Sequence, residues 1–448
     1  MTNGPLLVKI VRFAIPLAIS GILQLLFNAA DIIVVGRFSG SQALAAVGST
    51  SALINLIVNL FIGLSVGTNV LVAQSYGAGN QKDLQDTVHT SVLSSLIFGC
   101  IVLVIGISLS APMLELMGTP EEVLDQACLY MRIYFIGMPA SMLYNFGAAI
   151  LRAVGDTQRP LYFLFIAGVV NVVLNLFFVI GFHLDVAGVA IATVISQCIS
   201  AGLVLLCLVK SHAPYQVNLR HLRIKKDKLL GMVKIGLPAG IQGCSFSISN
   251  VLIQSSINSF GAVAMAGNTA ASNIEGFVST AMDAFSQAAL SFTGQNVGAG
   301  KLKRVNRILP LCVALVTGTG LVLGIGAYLL GPQLLGIYST EAEVIAFGMR
   351  RMSICCVLQF FGGLMGVMVG VLRGMGYSFV PMAITIGFVC GFRVIWILTV
   401  FALLPTLEVI YISYPITWGL AALCDVLCFF FVRKHLAKKQ QLASVEGK

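Results

Sequence analysis

At 448 residues, with 58% hydrophobic and only 10% charged residues, the composition excludes an ordinary soluble enzyme or binding domain. A net charge of +10 would suggest nucleic acid on a soluble surface. Here the charges gather between long apolar runs, which points to a membrane and to no nucleic-acid partner.

Segmenting the chain gives twelve apolar runs, near 10–36, 46–73, 88–111, 126–150, 161–182, 186–209, 232–258, 266–292, 307–331, 345–371, 380–403 and 409–432. Most are about 20 to 27 residues long, enough to cross a bilayer as helices. The expected fold is an all-α polytopic membrane protein with twelve transmembrane helices. The first run is too long for a secretory signal, contains Pro16 and Asp31 and lacks a small-residue cleavage site, so it is expected to remain as the first span.

That first span closes with Gln24–Arg37, QLLFNAADIIVVGR. Asp31 lies about 9 Å along a helix from Arg37, inside the apolar run. Insertion scales put an ionised carboxylate at mid-helix near +2.5 to +3.5 kcal/mol, so water, a cation, a proton or a basic partner must compensate. Gln24, Asn28 and Asp31 follow one another at spacings of four and three and share one helical face. The bland alternative is an interfacial acid reaching Arg37 or water; the polar stripe favours an ion-handling element. Pro16, matched by Pro238 in the seventh span, is a kink on the simplest reading.

The second span ends in Gln74-Ser-Tyr-Gly-Ala-Gly79, which lacks the spacing of a phosphate loop and reads as a helix stop. On the fifth span, Asn171 and Asn175 lie one turn apart, a spacing that suits either an ion site or interhelical hydrogen bonds. Thr193, at the start of the sixth, is uninformative alone because threonine readily bonds back to its own helix. In the second half, Glu275 and Asp283 lie eight apart on span eight, Arg393 falls in the middle of span eleven and Asp425 within span twelve. Charges inside membranes usually pair, so an Arg393–acid bridge is expected; the alternative is a cavity in the second half to which Glu275, Asp283 and Arg393 contribute, with Glu275 facing it. Eleven cysteines, mostly inside apolar runs, and five scattered histidines suit neither a disulfide framework nor a metal site.

Much of this pattern is written twice. Gln74-Ser-Tyr-Gly-Ala-Gly79 reappears as Gln295-Asn-Val-Gly-Ala-Gly300, and Leu151-Arg-Ala-Val-Gly155 as Leu372-Arg-Gly-Met-Gly376, each at an offset of 221. Ile15-Pro16 matches Leu237-Pro238 at 222. Repetition over some 150 residues indicates duplication. Six spans per unit is an even number, so the halves share one orientation, as parallel transporter repeats do with a substrate cavity between them. The expected division is an N-lobe at 1–209, a basic linker at 210–230, a C-lobe at 231–433 and a tail at 434–448 too short and polar to fold.

Apart from Arg37, Arg132, Arg350, Arg351 and Arg393, the 27 Lys and Arg lie at the N-terminus, in or beside the even-numbered connections, or in the tail. The positive-inside rule then places both termini in the cytoplasm. Arg132, Arg350 and Arg351 find no explanation in this scheme.

The paired Q-x-x-G-A-G and L-R-x-x-G ends, Ala-Asp31 with Gly36, Ala266-Gly-Asn-Thr269 and Ile274-Glu-Gly276 together resemble the multidrug and toxic compound extrusion (MATE) family over nearly the whole chain. The resemblance implies a secondary active exporter of amphipathic, cationic compounds, driven by protons or sodium, in a bacterial plasma membrane. It needs no cofactor beyond that gradient, and its partners are small molecules and membrane lipid. The NorM-like branch has acids on spans seven and ten, and the matching positions here fall about Phe246 and Gly362. The DinF-like branch has its site in the N-lobe, matched here by Asp31, Asn171, Asn175 and Thr193, with Gln24. Asn175 departs from that pattern by replacing a second carboxylate with an amide. A lone Asp31 in a semi-dry pocket favours coupling to protons, and transient sodium at Asp31 is the alternative. The resemblance also implies that Pro16 lets the first span bend as Asp31 changes charge, and a monomer is expected.

The rivals are a flippase for lipid-linked oligosaccharide, which would want a basic cavity although the spans offer only Arg393 near mid-depth, and a major-facilitator exporter, which would want a D-R-x-G-R turn where the chain has Gly77-Ala-Gly-Asn-Gln-Lys-Asp83. An enzyme or receptor finds no nucleophile–base pair, metal cluster or extramembrane domain.

Overall fold

The computed structural model describes residues 1–446 and, save for 41, 439, 440 and 442–446, their side chains. It is 88% helix, with no strand among the described residues. Hydrocarbon offers no partner to backbone N–H and C=O groups, and a helix satisfies them within its own segment.

In chain order the helices are α1 (Leu6–Phe38), α2 (Gly40–Gly77), α3 (Gln81–Leu116), α4 (Glu121–Ile136), α5 (Met138–Val154), α6 (Gln158–Leu176), α7 (Asp185–Lys210) and α8 (Lys226–Asn258). There follow α9 (Ala262–Gly298), α10 (Leu302–Leu329), α11 (Gly331–Gly336), α12 (Ala342–Arg351), α13 (Phe360–Gly374), α14 (Phe379–Thr385), α15 (Arg393–Trp396) and α16 (Leu407–Glu446). Among the described residues, nine helical segments are long and apolar enough to cross a membrane, or eleven if two bent pairs each count as one span. The pairs are α4 with α5, bent by 47°, and Ala342–Cys356 with α13, bent by 42°. Pro139 in the first turn of α5 explains the first bend, since it lacks the N–H that would continue α4. The expected eighth span lies in α9, which is not among the eleven; Asn268, Glu275, Asp283 and several hydroxyl residues make it polar.

The repeated glycines end helices as expected. Gly79 and Gly300 take φ of +68° and +71°, and Gly155 and Gly376 take +105° and +92°, left-handed values at which a side chain is strained. The tail is a correction. Helix α16 continues through 434–446 instead of ending at Arg433, and Gly447 and Lys448 lie outside the described residues. Its Lys, Gln, Ala and Leu are good helix formers, and extending an existing helix needs no new nucleus.

The chain forms two compact units, Met1–Ala18 with Ile241–Lys448, and Ile19–Gly240. The divisions fall inside α1 and α8, two residues after Pro16 and Pro238, and not at residues 209 and 230. The start of α1 joins the first unit's core, where Ile10 and Phe13 pack with Ala288 and Phe292, the two Phe rings edge to face at 5.6 Å. The start of α8 joins the second unit through four glycines. Gly63 on α2 lies against Gly240 of α8, Gly67 against Met232, and Gly236 and Gly240 of α8 against Leu64 and Leu60, and a Cβ on any of the four glycines would strike the opposite backbone. Two small-xxx-small stripes thus bring backbones together where apolar side chains gain little over lipid.

The 210–230 segment is fixed to the same unit. Arg223 pairs with Asp86 at 2.9 Å and Lys228 with Asp83 at 3.1 Å. The Asn218 backbone N–H donates to His89 Nε2 at 3.0 Å. The glycine contact should dominate the stability of this docking. Gly240→Leu should cost about 1–3 kcal/mol or more by overpacking and lower the thermal unfolding midpoint of the detergent-purified protein. Gly202→Ala, at an open position of α7, should leave that midpoint unchanged or raise it.

Candidate functional site

Inside the Ile19–Gly240 unit lies a cavity of about 400 Å³ whose lining includes Gln24, Asn28, Asp31, Asn171 and Thr193. Helix α1 reaches it because Gly168 on α6 leaves room for the Phe27 ring, which a Cβ there would hit. Asn28 and Asp31 are then carried to the polar face of α6. Asn175 Nδ2 donates to Asp31 Oδ1 and also to Asn171 Oδ1 at 3.2 Å. Asn171 Nδ2 donates to Thr193 Oγ1 at 3.4 Å, and the Thr193 hydroxyl donates to the Val189 carbonyl at 2.9 Å. Asp31, Asn175, Asn171 and Thr193 therefore form one chain of hydrogen bonds across three helices.

Asn171 and Asn175 are buried, Asp31 and Thr193 are half-buried, and Gln24 and Asn28 are open. A π-helical turn, Phe177–Gly181, follows directly after α6, in keeping with the frequency of such turns at functional sites. The cluster holds one carboxylate, amide oxygens and a hydroxyl: a single negative charge among hard oxygen donors. That set suits a proton or one monovalent cation. Among the described residues, no group of three or more His, Cys, Asp or Glu is placed to hold a metal ion. Pro16 is not part of the cavity lining; it is buried in the other unit.

The rest of the lining went unread in the sequence, yet it repeats the signal that exposed Asp31. Asn55 and Asn59 lie four apart on α2, Tyr130 and Tyr134 on α4, Ser141 and Asn145 on α5, and Thr193, Gln197 and Ser200 recur at turn spacing on α7. Each is a polar stripe on an apolar helix, and a search for polar pairs at i and i+4 would have found them.

The other unit uses its charges differently. Glu275, expected to pair with Arg393 or to face a cavity, is buried against Arg351, whose Nε and Nη2 donate to its two oxygens at 2.9 and 2.8 Å. Arg351 Nη1 donates to Asn268 Oδ1 at 2.7 Å, and Asn268 Nδ2 to Gln254 Oε1 at 3.0 Å. Arg393 has no acid partner among the described residues. Its guanidinium lies over the Tyr414 ring at 4.2 Å and near Trp418 at 5.7 Å, and its Nε donates to Thr417 Oγ1 at 3.0 Å. Aromatic faces thus meet a charge that was expected to need a carboxylate.

Asp283 is exposed and makes no hydrogen bond or ion pair among the described residues. Asp425 is buried, with no hydrogen bond to either oxygen among the described residues, in the field of Arg373. Phe246 packs in an apolar cluster near Val369 and Ala422, and Gly362 lies against Trp418. Arg351→Met should strand the Glu275 carboxylate and lower stability by about 3–5 kcal/mol, whereas Glu275→Leu with Arg351→Met should recover most of the loss. Thermal unfolding of the two variants checks that order.

A family model described as MatE matches the chain twice, at residues 16–177 and 238–399. Probable multidrug resistance protein YoeA of Bacillus subtilis is 29% identical over 437 residues, spanning 96% of this chain and 94% of its own. Probable multidrug resistance protein YpnP of the same organism is 29% identical over 380 residues, 84% of each chain. The crystal structure of a MATE transporter in complex with MaL6 shares the fold, with a TM-score of 0.89 at 24% identity over 96% of this chain and 97% of that one. The two matched segments make up more than half of the sequence, and the chain belongs to the MatE family: it is a multi-pass membrane transporter, not an enzyme.

Proposed function

We propose that this transporter is a secondary active exporter of amphipathic, cationic organic compounds, driven by inward flow of protons or sodium coupled at Asp31. One observation carries the reading. A half-buried carboxylate, hydrogen-bonded by Asn175 and continuous with Asn171 and Thr193, lies in a cavity lined by polar stripes from five further helices. Gain or loss of a cation there changes the charge of a site in a low-dielectric surround, where the change in energy is large.

The arrangement supports the DinF-like branch over the NorM-like one, because the acids of the latter are replaced by Phe246 and Gly362. Two family matches whose starts are 222 residues apart support two six-span repeats, with α9 as the eighth span completing the twelve. The charge distribution supports cytoplasmic termini in a bacterial plasma membrane. With a single carboxylate, the proton is the favoured coupling ion, and a monomer suffices. In this cycle, uptake of the cation bends α1 near Pro16 and lowers the affinity of the cavity for its organic cargo, which leaves as the lobes rock. The flippase alternative has little support, since Arg351 is held by Glu275 and Arg393 by aromatic rings.

Proteoliposomes loaded with a fluorescent organic cation provide the test, under an imposed proton gradient and then a sodium gradient. Export driven by one gradient should fall to the level of protein-free liposomes in Asp31→Asn. Driven export that survives the substitution would remove Asp31 from the mechanism and direct attention to Asp283. Asn175→Asp, which restores a second carboxylate, should raise dependence on sodium, read as greater export under the sodium gradient.

A further inference from the structure

The first turn of α10 runs against the electrostatics of its position. A helix N-terminus favours acids, yet Lys301, Lys303, Arg304 and Arg307 crowd this one, and residues 284–340 contain no Asp or Glu. The contrast with α3 is direct. At the offset of 221, Arg304 corresponds to Asp83 and Arg307 to Asp86. Both acids are ion-paired, with Lys228 at 3.1 Å and Arg223 at 2.9 Å. One half of the chain fills this place with matched charges, and the other with cations alone.

The cations line a groove of about 820 Å³ together with Arg433 and Ala437 of α16. Lys301 Nζ donates to the Thr2 carbonyl at 3.1 Å and to Asn3 Oδ1 at 2.7 Å, and Arg304 Nη2 donates to the Gly4 carbonyl at 2.6 Å. Those neutral oxygens orient two of the cations without cancelling their charge. Lys303, Arg307 and Arg433 form no ion pair among the described residues.

We propose that this groove binds a phosphate-bearing anion, the headgroup of an anionic phospholipid in the leaflet that meets the start of α10. Both α10 and α16 belong to the membrane-spanning set, so the groove lies at their interfacial ends, where basic pockets between helices meet lipid phosphates. A bound phosphate would supply the negative charge that the α10 N-terminus lacks. The proposal rests on the membrane assignment and not on the role of Asp31, so failure of either leaves the other standing.

Native mass spectrometry of the full-length protein in detergent, with equimolar phosphatidylglycerol and phosphatidylcholine, tests it. Phosphatidylglycerol should be retained preferentially, and the preference should shrink about fivefold for each positive charge removed in the series Arg433→Gln, then with Arg307→Gln, then with Lys303→Gln. Lys225→Gln with Lys226→Gln, on the linker of the other unit, should leave it unchanged. Raising salt should weaken phosphatidylglycerol retention by the unmodified protein and spare phosphatidylcholine, a readout independent of the folding of any variant. Equal retention of the two lipids, or a preference untouched by the three substitutions, would overturn the proposal. Displacement of phosphatidylglycerol by millimolar sodium phosphate would assign the groove to free phosphate and overturn its lipid role.

Discussion

An ionised side chain in hydrocarbon has no water to stabilise it, and Arg351, Glu275 and Arg393 are each met by a particular neighbour. Arg351 and Glu275 meet each other through two hydrogen bonds, and Arg393 meets the faces of Tyr414 and Trp418. These charges are stabilised in place, and removing one partner leaves the other exposed to the full cost of burial. Asp31 is treated differently. Its neighbours are amides and a hydroxyl, which orient a carboxylate without matching its charge. That imbalance sets Asp31 apart from the Arg351–Glu275 pair.

Around those charges the helices associate by means other than apolar burial, since lipid tails are as apolar as leucine. In the second unit, glycine stripes on α2 and α8 let two backbones touch, and Gly168 admits Phe27 so that α1 can present its polar face to α6. The precision of the cavity thus depends on residues with no chemistry of their own. π-Helical turns recur beside the buried polar groups, at Phe177–Gly181 after Asn175, Met352–Cys356 after Arg351 and Ile386–Phe392 before Arg393. Each widens the helix where a polar side chain must be aimed.

Local signals were legible in the sequence. The apolar runs located the helices, the repeated Gly-Ala-Gly and Leu-Arg motifs located their ends, and the spacing of Gln24, Asn28 and Asp31 exposed the cavity side of α1. Long-range pairing was not. Glu275 and Arg351 are 76 residues apart, and periodicity on either helix cannot choose between Arg351 and Arg393 as the partner. The 47° bend between α4 and α5 and the continuation of α16 to Glu446 were missed because a hydropathy window sees neither a proline at a helix start nor a polar extension. The close approach of Gly63 and Gly67 on α2 to α8 was not read from the sequence, because only the fold brings the two helices together.

The unit boundaries inside α1 and α8 have a consequence for continuity of the chain. Residues 1–18 contribute to the core of the unit that otherwise begins at Ile241, and the start of α8 contributes to the unit that ends at Gly240. A break anywhere in the 210–230 segment would give two fragments, each missing a strip of its own interior and carrying a strip of the other's. Such fragments are interlocked in the manner of an exchanged dimer, so severing the peptide would not by itself separate them. The connecting segment is then a tether for two halves already held by reciprocal exchange.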